Sequence, residues 1–269
     1  MKTINPSELS PMQVQMILQT AVSPRPIALA STIDKNGNVN LSPFSFFNLF
    51  SSNPPILIFS PARRVRDNST KDTLHNVLEV PEVVIGNVNF DMVQQVSLSS
   101  TEYETGVDEF IKSGLTKKPA ELVKPPLIAE SPVNFECKVI EVKPLGNEGG
   151  AGNLVICEVL KIHIREEFLN EEGNLDQKKL DLVSRLGGNW YGRTNPETLF
   201  EVPKPLVTKG IGFDQLPSEI RNSKIFTGND LGMLANVEQL PEGNLTADEN
   251  LNLEAQKLLL ESKIEGAWK

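Results

Sequence analysis

Four cations stand within residues 63–71 of an otherwise acidic chain: Arg63, Arg64, Arg66 and Lys71. Ser69 followed by Asp72 reads as a capping pair, so a helix is expected to begin near Thr70 and run to about Val80. A helix start carries unpaired backbone N–H groups and a partial positive charge. Lys71 and Thr73 fall in that first turn. Guanidinium, ammonium, hydroxyl and N–H groups gathered in this way suit a phosphate. A solvated loop with surface charge has the same composition, and the residues alone weigh the two readings evenly.

A second set carries hydroxyls and amides at the ends of apolar runs. Ser31 and Thr32 close one run; Ser45 and Asn48 flank Phe46 and Phe47 in the next. A flat conjugated ring needs apolar walls and a few edge hydrogen bonds. Phe44, Phe46 and Phe47 offer such walls, although aromatic residues in strands commonly belong to the core. The two sets together suit an anionic, flat, aromatic ligand. The two histidines, His75 and His163, are too dispersed to build a metal site, and none is expected. His163 shares strand parity with Val155, Cys157 and Val159. It is either structural or available to bond a ligand edge or donate a proton. Cys137 and Cys157 lack metal-ligand spacing and read as buried hydrophobes. No Gly-x-Ser-x-Gly nucleophile motif occurs, so hydrolase chemistry has no support and the catalytic residue stays open. The glycine-rich residues 146–152 lie between two strand patterns and open no helix, which argues against a phosphate loop.

These groups need elements to hold them. Ser10, Pro11 and Gln13 form a helix start with a capping box, and the helix should end near Ala21. Residues 26–33 and 39–47 read as strands joined through Asn36-Gly37, a hairpin signal. Pro55 suits the first position of a strand over residues 56–59. Another short strand covers residues 83–88, and alternation marks long ones over 133–142 and 154–165. Residues 89–98 and 107–113 read as short helices, the latter ended by Gly114. Beyond about residue 200 the composition shifts to loops and short helices, with a capping box at Thr246-Ala247-Asp248-Glu249 and an amphipathic helix over residues 251–264. The expected organisation is a domain over residues 1–200 and an extension over 201–269. The fold class is mainly β with helices in the connections, a β-barrel rather than a parallel β-α array.

The chain has 269 residues and a net charge of −9. That acidity disfavours general nucleic-acid binding, which needs a basic footprint. No apolar run is long enough to span a bilayer and no secretory signal is visible, so the expected location is the cytoplasm, away from membranes.

An ordered set of motifs resembles the flavin reductase-like, flavoredoxin-type family of FMN-binding split barrels. The set comprises Pro24-Arg25-Pro26-Ile27-Ala28 into Ser31-Thr32, then Ser42-Pro43-Phe44-Ser45-Phe46-Phe47-Asn48. It continues through Ser52-Asn53-Pro54-Pro55, Lys71-Asp72-Thr73 with Asn76, Val107-Asp108-Glu109-Phe110, Lys124-Pro125-Pro126, Glu130-Ser131-Pro132-Val133 and Arg185-Leu186-Gly187-Gly188. The resemblance implies a Greek-key split barrel and a homodimer with FMN near the subunit interface. It implies that Ser31 and Thr32 face the flavin or its ribityl chain, and that Ser45 and Phe46, followed by Asn48, lie at the ring. Ser60 and Arg66 would lie near the phosphate, with Lys71, Thr73 and Asn76 holding it and His163 close to the flavin. It further implies NADH or NADPH as a transient electron donor and a protein or small-molecule acceptor. A non-catalytic FMN-binding carrier or sensor is the alternative.

Overall fold

Period-two alternation and β-branched residues produce a seven-stranded antiparallel sheet. Helix α1 (Pro11–Ala21) precedes strands β1 (Ala28–Ile33), β2 (Val39–Phe44), β3 (Phe47–Ser52) and β4 (Pro55–Phe59). Helix α2 (Asp72–Glu79) and strand β5 (Glu82–Asn87) follow, then helices α3 (Val93–Leu98) and α4 (Glu109–Ser113). The two-residue strands β6 (Lys117–Lys118) and β7 (Leu127–Ile128) pair with each other. The long strands β8 (Val133–Pro144) and β9 (Asn153–Ile164) come next, and helix α5 (Gln177–Leu180) leads into the hairpin β10 (Val183–Arg185) and β11 (Tyr191–Arg193). The computed structural model describes residues 1–206, 209–240 and 249–268. The capping box expected at Thr246 to Asp248 lies outside the described residues.

The strand order is β2-β1-β5-β8-β9-β4-β3. Strands β2 and β3 are therefore opposite edges of the sheet, yet only Ser45 and Phe46 separate them in the chain. Three residue steps reach at most about 11 Å. The sheet must curl until its two edges meet, without a ladder between them. That is a barrel with a split, and the split carries Ser45 and Phe46. The expected single strand over residues 39–47 is thus two strands. The apolar run is continuous in sequence, but the chain changes edges inside it, and β3 pairs with β4 instead of β1.

Both faces of the central strands are buried. Leu29, Leu41 and Val84 pack with Met92, Val96, Phe110 and Ile128 on one side. Ala28, Ala30, Phe44, Val83 and Ile85 pack with Phe59, Leu74, Val77, Cys137 and Cys157 on the other. Both cysteines are free and buried. Burial, with Glu136 alongside, pushes the Cys137 thiol up to about 12. Gly86 in β5 is tightly surrounded, since a Cβ there would lie 2.4 Å from Ser131 Oγ.

Helix α1 begins at the expected capping box, with Ser10 and Gln13 each bonded to the other's backbone. Helix α2 does not begin as expected. Its N-cap is Lys71 without a side-chain cap bond. Ser69 instead gives its hydroxyl to Asp67 at 2.5 Å, an Asx-type local bond that wins over the helix cap.

The chain divides into two units, Met1–Leu199 and Phe200–Lys269. The second is helical: α6 (Ser218–Arg221), α7 (Gly228–Leu234), α8 (Glu249–Leu260) and α9 (Ile264–Trp268). Leu216, Phe226, Leu231, Leu234 and Leu259 form its core. The expected helix over residues 251–264 is instead two helices, broken where Ser262 takes a φ of 59°. Among the described residues no helix is long and apolar enough to cross a membrane. Among the same residues no group of three or more His, Cys, Asp or Glu could hold a metal.

Candidate functional site

The edge-to-edge crossing opens a cleft of about 420 Å³ at the end of β2 and β4. Pro43, Phe44, Ser45, Phe46 and Ser60 form one wall, Arg63, Arg64, Arg66 and Lys71 a second, and Gln15 and Gln19 of α1 a third. The crossing is pinned by the Ser60 N–H, which donates to the Phe46 carbonyl at 2.8 Å. The glycine-rich loop supports the basic loop from behind. Arg63 N–H donates to Ala151 O at 2.8 Å and Gly150 N–H to Arg63 O at 2.9 Å. A Cβ on Gly149 would sit 3.0 Å from the carbonyl oxygens of Arg64 and Val65. These glycines therefore buttress an anion-competent loop and hold no phosphate themselves.

Lys71 is half-buried at the inner end of the cleft. Its ammonium donates to Ser42 Oγ at 3.2 Å and lies 5.0 Å from the centre of the Phe44 ring. Among the described residues no carboxylate reaches ion-pair distance of it. Burial, then the charge of Arg64, lowers its pKa below the usual lysine value. Arg64 is fixed from two sides: one nitrogen donates to Ser69 Oγ at 2.9 Å and to Thr70 O at 3.0 Å, while Nε donates to Glu102 at 2.9 Å. Arg63 Nε donates to Asn68 at 2.6 Å. A half-buried ammonium without a counter-ion, beside an oriented guanidinium, is a site short of negative charge.

Nine of the residues expected at a site fall into three groups, and Ser31 and His163 stand outside them. Ser45, Phe46, Ser60, Arg66 and Lys71 line this one cleft. Asn48 lines a neighbouring cleft of about 340 Å³ with Phe46, Phe47 and Phe50. Thr32, Thr73 and Asn76 form a buried polar lock between α2 and the first hairpin. Asn76 donates to Thr32 Oγ1 at 3.1 Å, and Asn40 donates to Thr73 Oγ1 at 2.8 Å. Asn76 also borders a different cleft, of about 490 Å³, where Asp34, Asp72 and Glu79 supply negative charge unsuited to a phosphate. Ser31 and Thr32, adjacent in β1, point to opposite faces. The Ser31 hydroxyl is buried without a partner.

His163 stands apart from that cleft. Its Nε2 lies 2.6 Å from Glu136 Oε1. Glu136 is fully buried and accepts the backbone N–H groups of Glu121 (2.9 Å), Leu122 (2.6 Å) and Val123 (3.0 Å). Burial raises its pKa, but these bonds and the one to His163 outweigh it and hold the carboxyl below the usual value.

Two positions are given no site role by the sequence, although Arg25 stands in the Pro24-Arg25-Pro26 motif. Glu102, from the loop after α3, reaches into the cleft to meet Arg64 and Arg66. Arg25 is buried and clasps the ends of the unit together. Its guanidinium donates to the carbonyls of Gln19, Val22 (2.6 Å) and Leu186 (2.9 Å), and to Ser45 Oγ at 3.4 Å. Its charge is thus spent on carbonyls, and it orients Ser45.

A family model of the flavin reductase like domain matches residues 21–181. An uncharacterized protein of Halalkalibacterium halodurans is 38% identical over 208 residues, 77% of this chain and 98% of that protein. Among solved structures, nitrilotriacetate monooxygenase component B from Bacillus cereus is similar with a TM-score of 0.69 and 27% identity, covering 75% of this chain and 98% of that one. The 2-nitrobenzoate 2-nitroreductase of Pseudomonas fluorescens gives a TM-score of 0.67 and 27% identity, covering 78% of this chain and 100% of that one.

Proposed function

The chain belongs to the flavin reductase-like family of split-barrel flavoproteins, and from that premise we propose that it binds FMN in the Lys71–Phe46 cleft and uses NADH or NADPH as electron donor. The observation that carries this reading is the Lys71 ammonium, half-buried, without a carboxylate, at the inner end of a cleft whose outer wall is Phe46. That arrangement fits a ligand with a phosphate at one end and a flat ring at the other. Lys71 and Arg64, with the Ser60 hydroxyl, would hold the phosphate. Ser45, oriented by Arg25, and Phe46 would meet the ring. Bound there, the flavin supplies hydride acceptance and onward electron transfer; the protein supplies position and charge. No side chain of the cleft needs to act as acid or base in this reading.

Turnover is favoured over a closed carrier by one feature. Phe46 is 39% exposed and also lines clefts of about 340 and 690 Å³. A second planar reactant therefore has an approach to the ring position. One structural neighbour is a nitroreductase and another a monooxygenase component, both in keeping with delivery of electrons to an acceptor. The exposed Leu49 and Phe50 on edge strand β3 support a second copy of the chain as partner, giving a homodimer. The cytoplasm, as a source of reduced nicotinamide nucleotides, is the compartment this reading assigns.

The test is a visible spectrum of the purified protein before and after adding NADH or NADPH without oxygen. Flavin bands that bleach are the expected result, and the faster nucleotide is the donor. Bands that persist with both nucleotides would leave a carrier or sensor. A colourless protein that takes up no added FMN would remove the cofactor assignment.

A further inference from the structure

Glu102 is the one carboxylate among the residues lining the cationic cleft. Its two oxygens are divided between two guanidinium groups: Oε1 accepts from Arg64 Nε at 2.9 Å and Oε2 from Arg66 Nη2 at 2.5 Å. One oxyanion bridging two arginines is the arrangement a phosphate itself adopts. We propose that Glu102 is a built-in occupant of the anion site, which the phosphate of the ligand must displace, and that it thereby sets the selectivity for phosphorylated flavin. The proposal rests on the reading of this cleft as the FMN phosphate site.

Three observations separate this role from one of merely holding the arginines in place. Arg64 does not depend on Glu102 for its position, because Ser69 Oγ and Thr70 O fix its other end. Arg66 has a second carboxylate, Asp67, whose Oδ2 lies 3.1 Å from its Nε. The Glu102 side chain is 45% exposed and comes from a loop, residues 99–108, that joins α3 to α4. An exposed ion pair of this kind is weak, worth about 1 kcal/mol or less, so a dianionic phosphate can replace it. Among the described residues Lys71, deeper in the cleft, has no carboxylate at ion-pair distance even with Glu102 in place, although the Glu102 charge acts on it from further off. The carboxylate stays ionised in neutral solution, since the bonds from Arg64 and Arg66 hold its pKa below the usual value.

The consequence is quantitative. A ligand that must displace an occupant binds with an affinity reduced by the fraction of sites that are free. An unphosphorylated flavin has nothing to exchange for Glu102 and gains nothing from its departure.

The test measures dissociation constants of FMN and riboflavin by fluorescence quenching on flavin-free wild type, E102Q and E102A. Both variants are expected to bind FMN up to about fivefold more tightly at low salt, with the gain shrinking as salt is raised. Riboflavin affinity is expected to stay at the wild-type value, and the thermal midpoint of the ligand-free protein to fall by no more than about 4 °C. E102Q keeps the size of the side chain, so it serves if E102A fails to fold. Unchanged or weaker FMN binding in a folded E102Q would overturn the proposal and make Glu102 a positioning residue for the arginines. Wild type that binds FMN no more tightly than riboflavin would overturn the phosphate reading itself, and this proposal with it.

Discussion

Lys71→Met is expected to weaken FMN binding roughly 10- to 150-fold while leaving riboflavin binding unchanged. A hydrogen bond to a charged group contributes about 1.5–3 kcal/mol, and about 1.4 kcal/mol is a factor of ten. Methionine keeps an apolar stem against the Phe44 ring, so the variant removes charge and little packing. Titration calorimetry with both flavins checks it; equal losses for the two would place the effect at the ring and remove the phosphate site. The same lysine gives a pH dependence of definite sign. Burial lowers its pKa from the ordinary value of 10.5, so the ammonium is lost at a lower pH than in a free lysine. FMN affinity should fall as pH rises through that lowered value. The stability of the ligand-free protein should move the other way. Between the folded and unfolded pKa the unfolded chain binds more protons, so folding is favoured as pH rises across that window. Thr73→Ala is the informative comparison. It removes the acceptor of Asn40, so its effect belongs to stability, by about 1 kcal/mol.

Glu136→Ala is expected to destabilise the fold by about 3–5 kcal/mol, the cost of breaking a buried charged network on one side. The lost carboxylate leaves the N–H groups of Glu121, Leu122 and Val123 without their acceptor, and His163 without its partner. Urea unfolding followed by circular dichroism checks this; a loss under 1 kcal/mol would mean that water replaces the carboxylate. The wild-type protein should show the matching acid sensitivity. The Glu136 carboxyl sits below its usual value of 4.5 in the folded state, so its contribution is complete above that value. It is lost as pH falls through the lower folded pKa. Within the single chain His163 belongs to this account and stands apart from the Lys71–Phe46 cleft.

Much of this fold was legible because its signals are local. Alternation over β8 and β9, the proline opening β4 and the Ser10–Gln13 box each depend on a few neighbouring residues. The basic loop was legible for the same reason, as charge concentrated just before a helix. What escaped depends on chain reversals. Residues 39–47 look like one strand because hydrophobicity continues across Ser45 and Phe46, whereas the change of sheet edge at that point is a global property. Glu102 looks like any surface glutamate until the loop after α3 brings it to Arg64, 38 residues away. Thr73 and Asn76 carry the right chemistry for a ligand, yet buried helices use the same hydroxyls and amides to satisfy one another. Sequence composition does not separate those uses; the partners Asn40 and Thr32 do.

The two buried thiols turn the centre of the barrel into its own clock. Cys137 and Cys157 sit on β8 and β9, the longest ladder of the sheet, and neither is ionised or exposed at neutral pH. An alkylating reagent reaches them only after those strands part, so the labelling rate of the native protein reports the free energy of opening the barrel. A ligand held across the split stabilises the closed form alone, and labelling should slow in proportion to its occupancy. The chain thus carries an internal gauge of ligand binding at the split, and of the proposed flavin in particular, that reads neither colour nor turnover.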